Sequence, residues 1–217
     1  MPELSSLSAL FLPVLPECEK LPRMESLVAA SPTRAKAAAA TAGAHRQLLA
    51  ALDGVVTLAT PDAALYKPLV LRGEAPLPKL LRVYLYNLTT HLSERQKGAF
   101  RIQITLGNAG KRERGHFDWS NGAFVVLAGY APSQDVFALW DAGIYDQGSG
   151  IPFSRGCQVR DATLYAAMVN GTAEQTRHMR SGGVTETIVG STSAHLGEAL
   201  QLRWARTVDR LLSAQAS

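Results

Sequence analysis

Residues 82–117, RVYLYNLTTHLSERQKGAFRIQITLGNAGKRERGHF, constrain the fold more than any other stretch. Residues 82–88 are β-branched and aromatic. Residues 101–105, RIQIT, alternate polar and apolar with period two, which sets Arg101, Gln103 and Thr105 on one face of a strand and Ile102 and Ile104 on the other. The two runs read as a hairpin-like element with basic loops. Two more runs follow, AFVVLAG at 123–129, the more buried, and DVFALWD at 135–141. Four short strands in succession favour an antiparallel, strongly bent sheet.

Helices are expected on both sides of this region. Residues 33–53, TRAKAAAATAGAHRQLLAALD, are rich in good helix formers, follow Pro32 and end at Gly54. Prolines at 61, 68, 76 and 78 leave room only for short strands such as VVTLAT and LVLR in residues 55–79. Residues 159–170 read as a helix stopped by Gly171, residues 185–189 as a late strand, and residues 195–212 as a helix with Leu196, Leu200, Trp204, Val208 and Leu211 on one face. The fold class is therefore α+β: a bent antiparallel sheet or pseudobarrel flanked by helices, with N-terminal and C-terminal helices. Residues 1–54 form an arm and helix, 55–190 a β-rich recognition domain, and 191–217 a C-terminal helix packing on the same core.

Charge then narrows the function. Between Glu94 and Arg114 the chain holds Arg95, Lys97, Arg101, Lys111, Arg112 and Arg114 against Glu94 and Glu113, and six minus two gives +4, the formal net charge of the whole chain. The remaining residues cancel, so the electrostatic bias is concentrated in one element whose natural partner is a polyanion. Two cysteines, Cys18 and Cys157, exclude a disulfide framework and a zinc site built mainly from thiolates, and fit a cytoplasmic location. At the N-terminus Glu3 stands where a signal peptide has basic residues, and Pro13 and Pro16 break the apolar run.

Familiar catalytic patterns fail on spacing. A phosphate-binding loop needs glycine where Thr105 stands and Ser or Thr where Arg112 stands. A metal-dependent nuclease strand carries Asp or Glu two residues before Lys, but the six lysines follow Cys18, Arg34, Leu65, Leu77, Arg95 and Ala109 at that distance. Gly148-Ser149-Gly150 lacks the spacing of a nucleophile elbow. His45, His91, His178 and His195 are scattered, and Asp135, Asp141 and Asp146 flank a strand and a turn, where aspartate is ordinary. No catalytic residue, metal site or cofactor is identified; magnesium would be needed only if the chain were itself a nuclease.

Duplex DNA fits the remaining chemistry. Arg and Lys hold phosphates, while Arg pairs with guanine and Gln with adenine on base edges. The candidate contacts are Arg95, Lys97, Arg101, Gln103, Thr105, Lys111, Arg112, Arg114, His116, Trp119, Arg155 and Arg160. Of these, His116 is expected at a strand edge, touching phosphate or solvent, and Trp119, like Tyr130 and Phe153, lies near a polar turn where it could stack on an extruded base, although such aromatics are more often core.

The order RVYLYNLTT at 82–90, FRIQIT at 100–105, LAGYAPSQDVFALW at 127–140 and FSRGCQVRDATLYA at 153–166 resembles the methylase-associated domain of bacterial restriction-modification loci. The resemblance implies a DNA-specificity module placed beside methyltransferase genes or joined to a nuclease. It also implies a bent β pseudobarrel like the recognition domains of some restriction enzymes and of plant B-three transcription factors, with Gln158-Val159-Arg160 opening a helix. The expected role is sequence- or modification-specific duplex binding in restriction or phage defence. Its partners would be double-stranded DNA and a nuclease or methyltransferase subunit, or a second copy of the chain, without a membrane. An endonuclease with an unrecognised site and a protein-interaction scaffold are the alternatives.

Overall fold

The computed structural model describes residues 32–59, 67–90, 98–106, 113–179 and 183–216. Two sheets face each other across a shared core, and helices cover the far side of the larger one. Helix α1 (Pro32–Ala51) leads into β1 (Val56–Leu58), β2 (Leu69–Gly73) and β3 (Leu81–Asn87). Strands β4 (Thr89–Thr90) and β5 (Ala99–Ile104) follow, then β6 (Phe124–Ala131), β7 (Val136–Asp141) and the short helix α2 (Ala142–Tyr145). The chain closes with β8 (Arg155–Arg160), α3 (Asp161–Asn170), β9 (Thr172–His178), β10 (Thr185–Thr192) and α4 (Leu196–Gln215).

The large sheet has seven strands in the order β1-β2-β3-β6-β7-β10-β9, and the small sheet has three in the order β4-β5-β8. The expected antiparallel sheet is thus a mixed one, because β3 and β6 pair in parallel from Leu81 opposite Phe124 to Asn87 opposite Tyr130. A parallel pair needs a crossover between its strands. Here residues 88–123 make that crossover, and they contribute β4 and β5 to the small sheet rather than a helix. Nor is the fold a closed barrel, since β1 and β9 stand at opposite ends of the strand order.

Both faces of the central strands are consequently buried. Leu81, Val83, Leu85, Phe124, Val126, Phe137 and Leu139 pack against Leu48 and Leu52 of α1 and Leu196, Ala199 and Leu200 of α4. Each fully buried leucine there contributes roughly 1.5–3 kcal/mol. Trp204 of α4 meets Phe124 edge-on at 4.8 Å. On the other face Tyr84, Leu127, Ala138 and Trp140 meet Phe100, Ile102 and Ile104 of β5 and Cys157 and Val159 of β8.

The hairpin-like pairing expected within residues 82–117 does not form. After Asn87 the chain leaves the large sheet, with the Leu88 N–H donating to the Tyr130 carbonyl at 2.8 Å. It then enters the small sheet as β4, so β3 and β5 lie in different sheets, joined at a corner where one chain changes sheet. The helix expected at 159–170 begins at Asp161, and Gln158, Val159 and Arg160 end strand β8 rather than open a helix. Strand β9 had no sequence signal. The apolar face expected on α4 holds for Leu196, Leu200 and the partly buried Trp204, but on the second half of the helix Arg203 and Thr207 are the fully buried positions and Leu211 is exposed. None of the described helices is long and apolar enough to cross a membrane.

Candidate nucleic-acid interface

The outer face of the small sheet follows directly from alternation. Phe100, Ile102 and Ile104 of β5 point into the core, which turns Arg101 and Gln103 outward. In β8 the buried residues are Cys157 and Val159, so Gln158 and Arg160 take the outward positions. Antiparallel register then sets Thr89, Arg101 and Gln158 opposite one another across all three strands. One rung away Ala99 stands opposite Arg160, and on the other side Gln103 stands opposite Gly156.

Gly156 contributes no side chain, and a Cβ built there would meet nothing within 4 Å. A glycine at such a point lets another molecule come close to the backbone. Gln103 beside it donates through Nε2 to the Ser154 hydroxyl, which fixes the amide with its oxygen free of that bond. Thr105 lies exposed just beyond the end of β5. The fourteen residues of β4, β5 and β8 include Arg101, Arg155 and Arg160 and no Asp or Glu.

Not every predicted contact joins this face. Arg155 shares the inward parity at the start of β8, opposite Ile104, and its guanidinium lies 6.0 Å from the centre of the Tyr145 ring. Arg114, His116 and Trp119 gather elsewhere. Arg114 donates from Nε and Nη2 to the Gly150 carbonyl at 3.1 and 2.9 Å. The Asp146 carboxylate, whose side chain is 2 % exposed, accepts from the Phe117 N–H at 2.8 Å and from Trp119 Nε1 at 3.1 Å. It also takes His116 Nδ1 at 2.8 Å. Gly150 is required beside this group: its φ is +77°, and a Cβ would stand 2.6 Å from His116 Nε2. Arg95, Lys97, Lys111 and Arg112 lie outside the described residues.

Two polar clusters support the small sheet from behind. Arg82 donates to the carbonyls of Asp118 and Ser120 and to the Ser120 hydroxyl, which holds the segment leading into β6. Hydrogen bonds from Ser120, and then the Arg82 charge, hold the Asp118 carboxyl below its ordinary range. Beneath β8, Arg177 of β9 donates to Glu186 at 2.7 Å and to the Tyr145 hydroxyl at 2.9 Å. Burial pushes the neighbouring Cys157 thiol up to about 12 and raises the Glu186 carboxyl against the pull of Arg177. A thiol in that state is not a nucleophile at neutral pH.

Among the described residues no three His, Cys, Asp or Glu side chains converge as metal ligands. Sequence reasoning missed Thr89 and Gln158 as members of the face and Asp146 as the organiser of the His116 corner. The alternation in RGCQVR was the available signal for Gln158; the role of Asp146 depends on contacts 27–30 residues away in sequence and had none.

A family model described as Methylase-associated X1 matches residues 79–200, more than half of the chain. The match runs from just before β3 into the first turns of α4, so it contains all three strands of the small sheet. No curated protein and no solved structure matches the chain.

Proposed function

The chain belongs to the methylase-associated X1 family, and from that premise we propose that it serves a restriction-modification system by binding duplex DNA across the outer face of the small sheet. The observation that carries this reading is the acid-free sheet itself: Thr89, Arg101 and Gln158 in one row, with Gln103 and Arg160 on the adjoining rungs. Arginines there would hold phosphates or guanine edges, and the two glutamines would address adenine. A strand face of this kind can enter the major groove. The basic side chains at 95, 97, 111 and 112 would add phosphate contacts.

Duplex binding measured by gel shift should fall steeply as salt rises, because each neutralised phosphate releases counterions. Absence of any duplex binding at low salt would reject the proposal. Arg101→Ala should relax the preference among sequences or modification states, whereas Lys111→Ala should weaken all duplexes alike and lower the salt slope by about one. Equal effects of the two would defeat the assignment of Arg101 to readout. A methyltransferase or nuclease subunit is the protein partner this reading implies.

The second reading, that the chain itself cleaves DNA, has one structural motive. Asp146 holds the His116 ring through Nδ1, the arrangement that orients an imidazole as a general base. Cleavage of unmodified plasmid that requires His116, tested with and without magnesium, would favour it. Intact plasmid under every condition would remove it.

A further inference from the structure

The sheet-facing stripe of α4 changes character halfway along the helix. Leu196, Ala199 and Leu200 are buried and apolar, but the next positions on that face are Arg203 and Thr207, also buried. Positions three, four and seven apart share a helix face, so Arg203, Arg206 and Arg210 flank the same opening. They line a cavity of about 430 Å³ between the second half of α4 and the ends of β7 and β10, together with Thr185, Thr187 and Asp141. This cavity lies on the helix side of the large sheet, away from the small sheet.

We propose that this cavity binds a phosphate group, free or carried by a small ester. The three guanidinium groups are already fixed in place. Arg210 donates from Nε and Nη2 to Asp141 at 2.7 and 3.2 Å, and Arg206 grips Glu174 at 2.6 and 2.9 Å. Arg203 donates from Nη1 to the Thr187 carbonyl and stands 3.8 Å from Asp141. It is 1 % exposed, yet its Nε has no partner, and neither does the Thr207 hydroxyl one turn further along. Buried donors are ordinarily satisfied, so an acceptor is missing beside Arg203.

Three arginines line the cavity with the carboxylates of Asp141 and Asp209, and Glu174 offsets Arg206 from outside the lining, so it is the guanidinium hydrogen-bond donors rather than a surplus of charge that would hold a phosphate. Burial depresses the Arg203 guanidinium more than Asp141 restores it, and an added anion would relieve that imbalance. Phosphate suits the site better than a lone carboxylate. Its oxygens accept from several guanidinium forks at once, and the Thr185 and Thr187 hydroxyls add short donors. The volume exceeds what a bare phosphate needs and falls within the range of small-ligand sites.

The test is calorimetric titration of the full chain with inorganic phosphate and, separately, with a nucleoside 5′-monophosphate, at ionic strength held constant with chloride. Saturable binding is expected, with a rise in melting temperature. Equal affinity for the two probes identifies free phosphate as the natural ligand, and tighter binding of the ester identifies a nucleotide. Arg206→Ala should weaken binding about tenfold, as befits one charge-assisted hydrogen-bonding group. Thr185→Glu should abolish it by setting a carboxylate at the opening. Both positions are exposed, so the variants fold, and Arg203→Gln supplies a third measurement. Lack of saturable binding of either probe at millimolar concentration would overturn the proposal, as would undiminished binding in Arg206→Ala and Thr185→Glu.

Discussion

Replacing Gly129 of β6 with alanine tests how the two sheets are joined. Gly129 faces the small sheet, and a Cβ there would stand 2.6 Å from Ile102 Cγ2 and 3.2 Å from both Leu88 Cδ1 and Trp140 Cζ3. Unstrained carbon contacts lie at about 3.5–4.0 Å, so the sheets must separate by about 1 Å or the Ile102 side chain must leave its rotamer. Overpacking of this kind costs about 1–3 kcal/mol. Alanine recovers about 0.4–1 kcal/mol by restricting the unfolded chain. The net loss is then about 1–2 kcal/mol, and for a chain of this size the melting temperature falls by about 2–8 °C. Ile102→Ala alone should cost about 2–5 kcal/mol because Ile102 is fully buried. In the double variant the obstructing methyl is gone, so the combined loss should be smaller than the sum by about 0.5–3 kcal/mol. Urea unfolding followed by tryptophan fluorescence and far-ultraviolet circular dichroism measures all three. A Gly129→Ala protein as stable as the parent, or a double variant whose loss equals the sum, would refute the close contact. Because Arg101 and Gln103 flank Ile102, the single variant should also bind duplex less tightly although every charge remains.

Asp141→Ala should cost about 3–5 kcal/mol by leaving Arg203 buried without its carboxylate, while Glu174→Ala at the half-exposed Arg206 pair should cost under about 1 kcal/mol; chemical denaturation with similar losses for both would contradict this ranking. Cys157, its thiol pushed up to about 12 by burial, should resist alkylation at pH 8 in the native protein and react in denaturant, as peptide mass spectrometry would show. Lys67 sits with its ammonium 3.4 Å from the centre of the Tyr86 ring, and burial lowers its pKa to about 8 from 10.5. Between those values the unfolded chain binds more protons, so stability should rise with pH from 8 towards 10 and the rise should vanish in Lys67→Met; an unchanged slope in that variant would assign the effect to another group.

What the sequence made legible was local. Period-two alternation at 101–105 correctly separates Arg101 and Gln103 from Ile102 and Ile104, and the alanine-rich run before Gly54 forms the helix expected of it. The runs at 81–87 and 124–131 carry apolar or aromatic residues on both faces, Arg82 apart, so they declare burial without naming a partner, and the parallel pairing between them stayed hidden. Strand β9, TAEQTRH, buries only Gln175 among its seven residues, because it is an edge strand whose pattern is set by neighbours rather than by an apolar face. Arg114 and His116 belong to the same basic run as Arg112, yet the Gly150 carbonyl and the Asp146 carboxylate, 36 and 30 residues further on, draw them to a different corner.

The same topology changes the meaning of the charge surplus. Counted along the chain, the excess lies between Glu94 and Arg114; counted across the small sheet, Arg101 shares its surface with Arg160, which the sequence places 59 positions later. Two separate excursions from the large sheet, one between β3 and β6 and one between β7 and β9, each contribute to the same small sheet. Their inward residues must be apolar to cover Trp140 and Leu127, and alternation then leaves their outward residues unconstrained by packing. The absence of acidic residues from all three strands is therefore not imposed by the fold. A solvated sheet face would tolerate glutamate as readily as glutamine at 103 or 158, and a surface that meets phosphate would not. Gln103→Glu and Gln158→Glu accordingly separate the two requirements: folding stability should change by less than about 0.5 kcal/mol, while duplex affinity should drop at low salt.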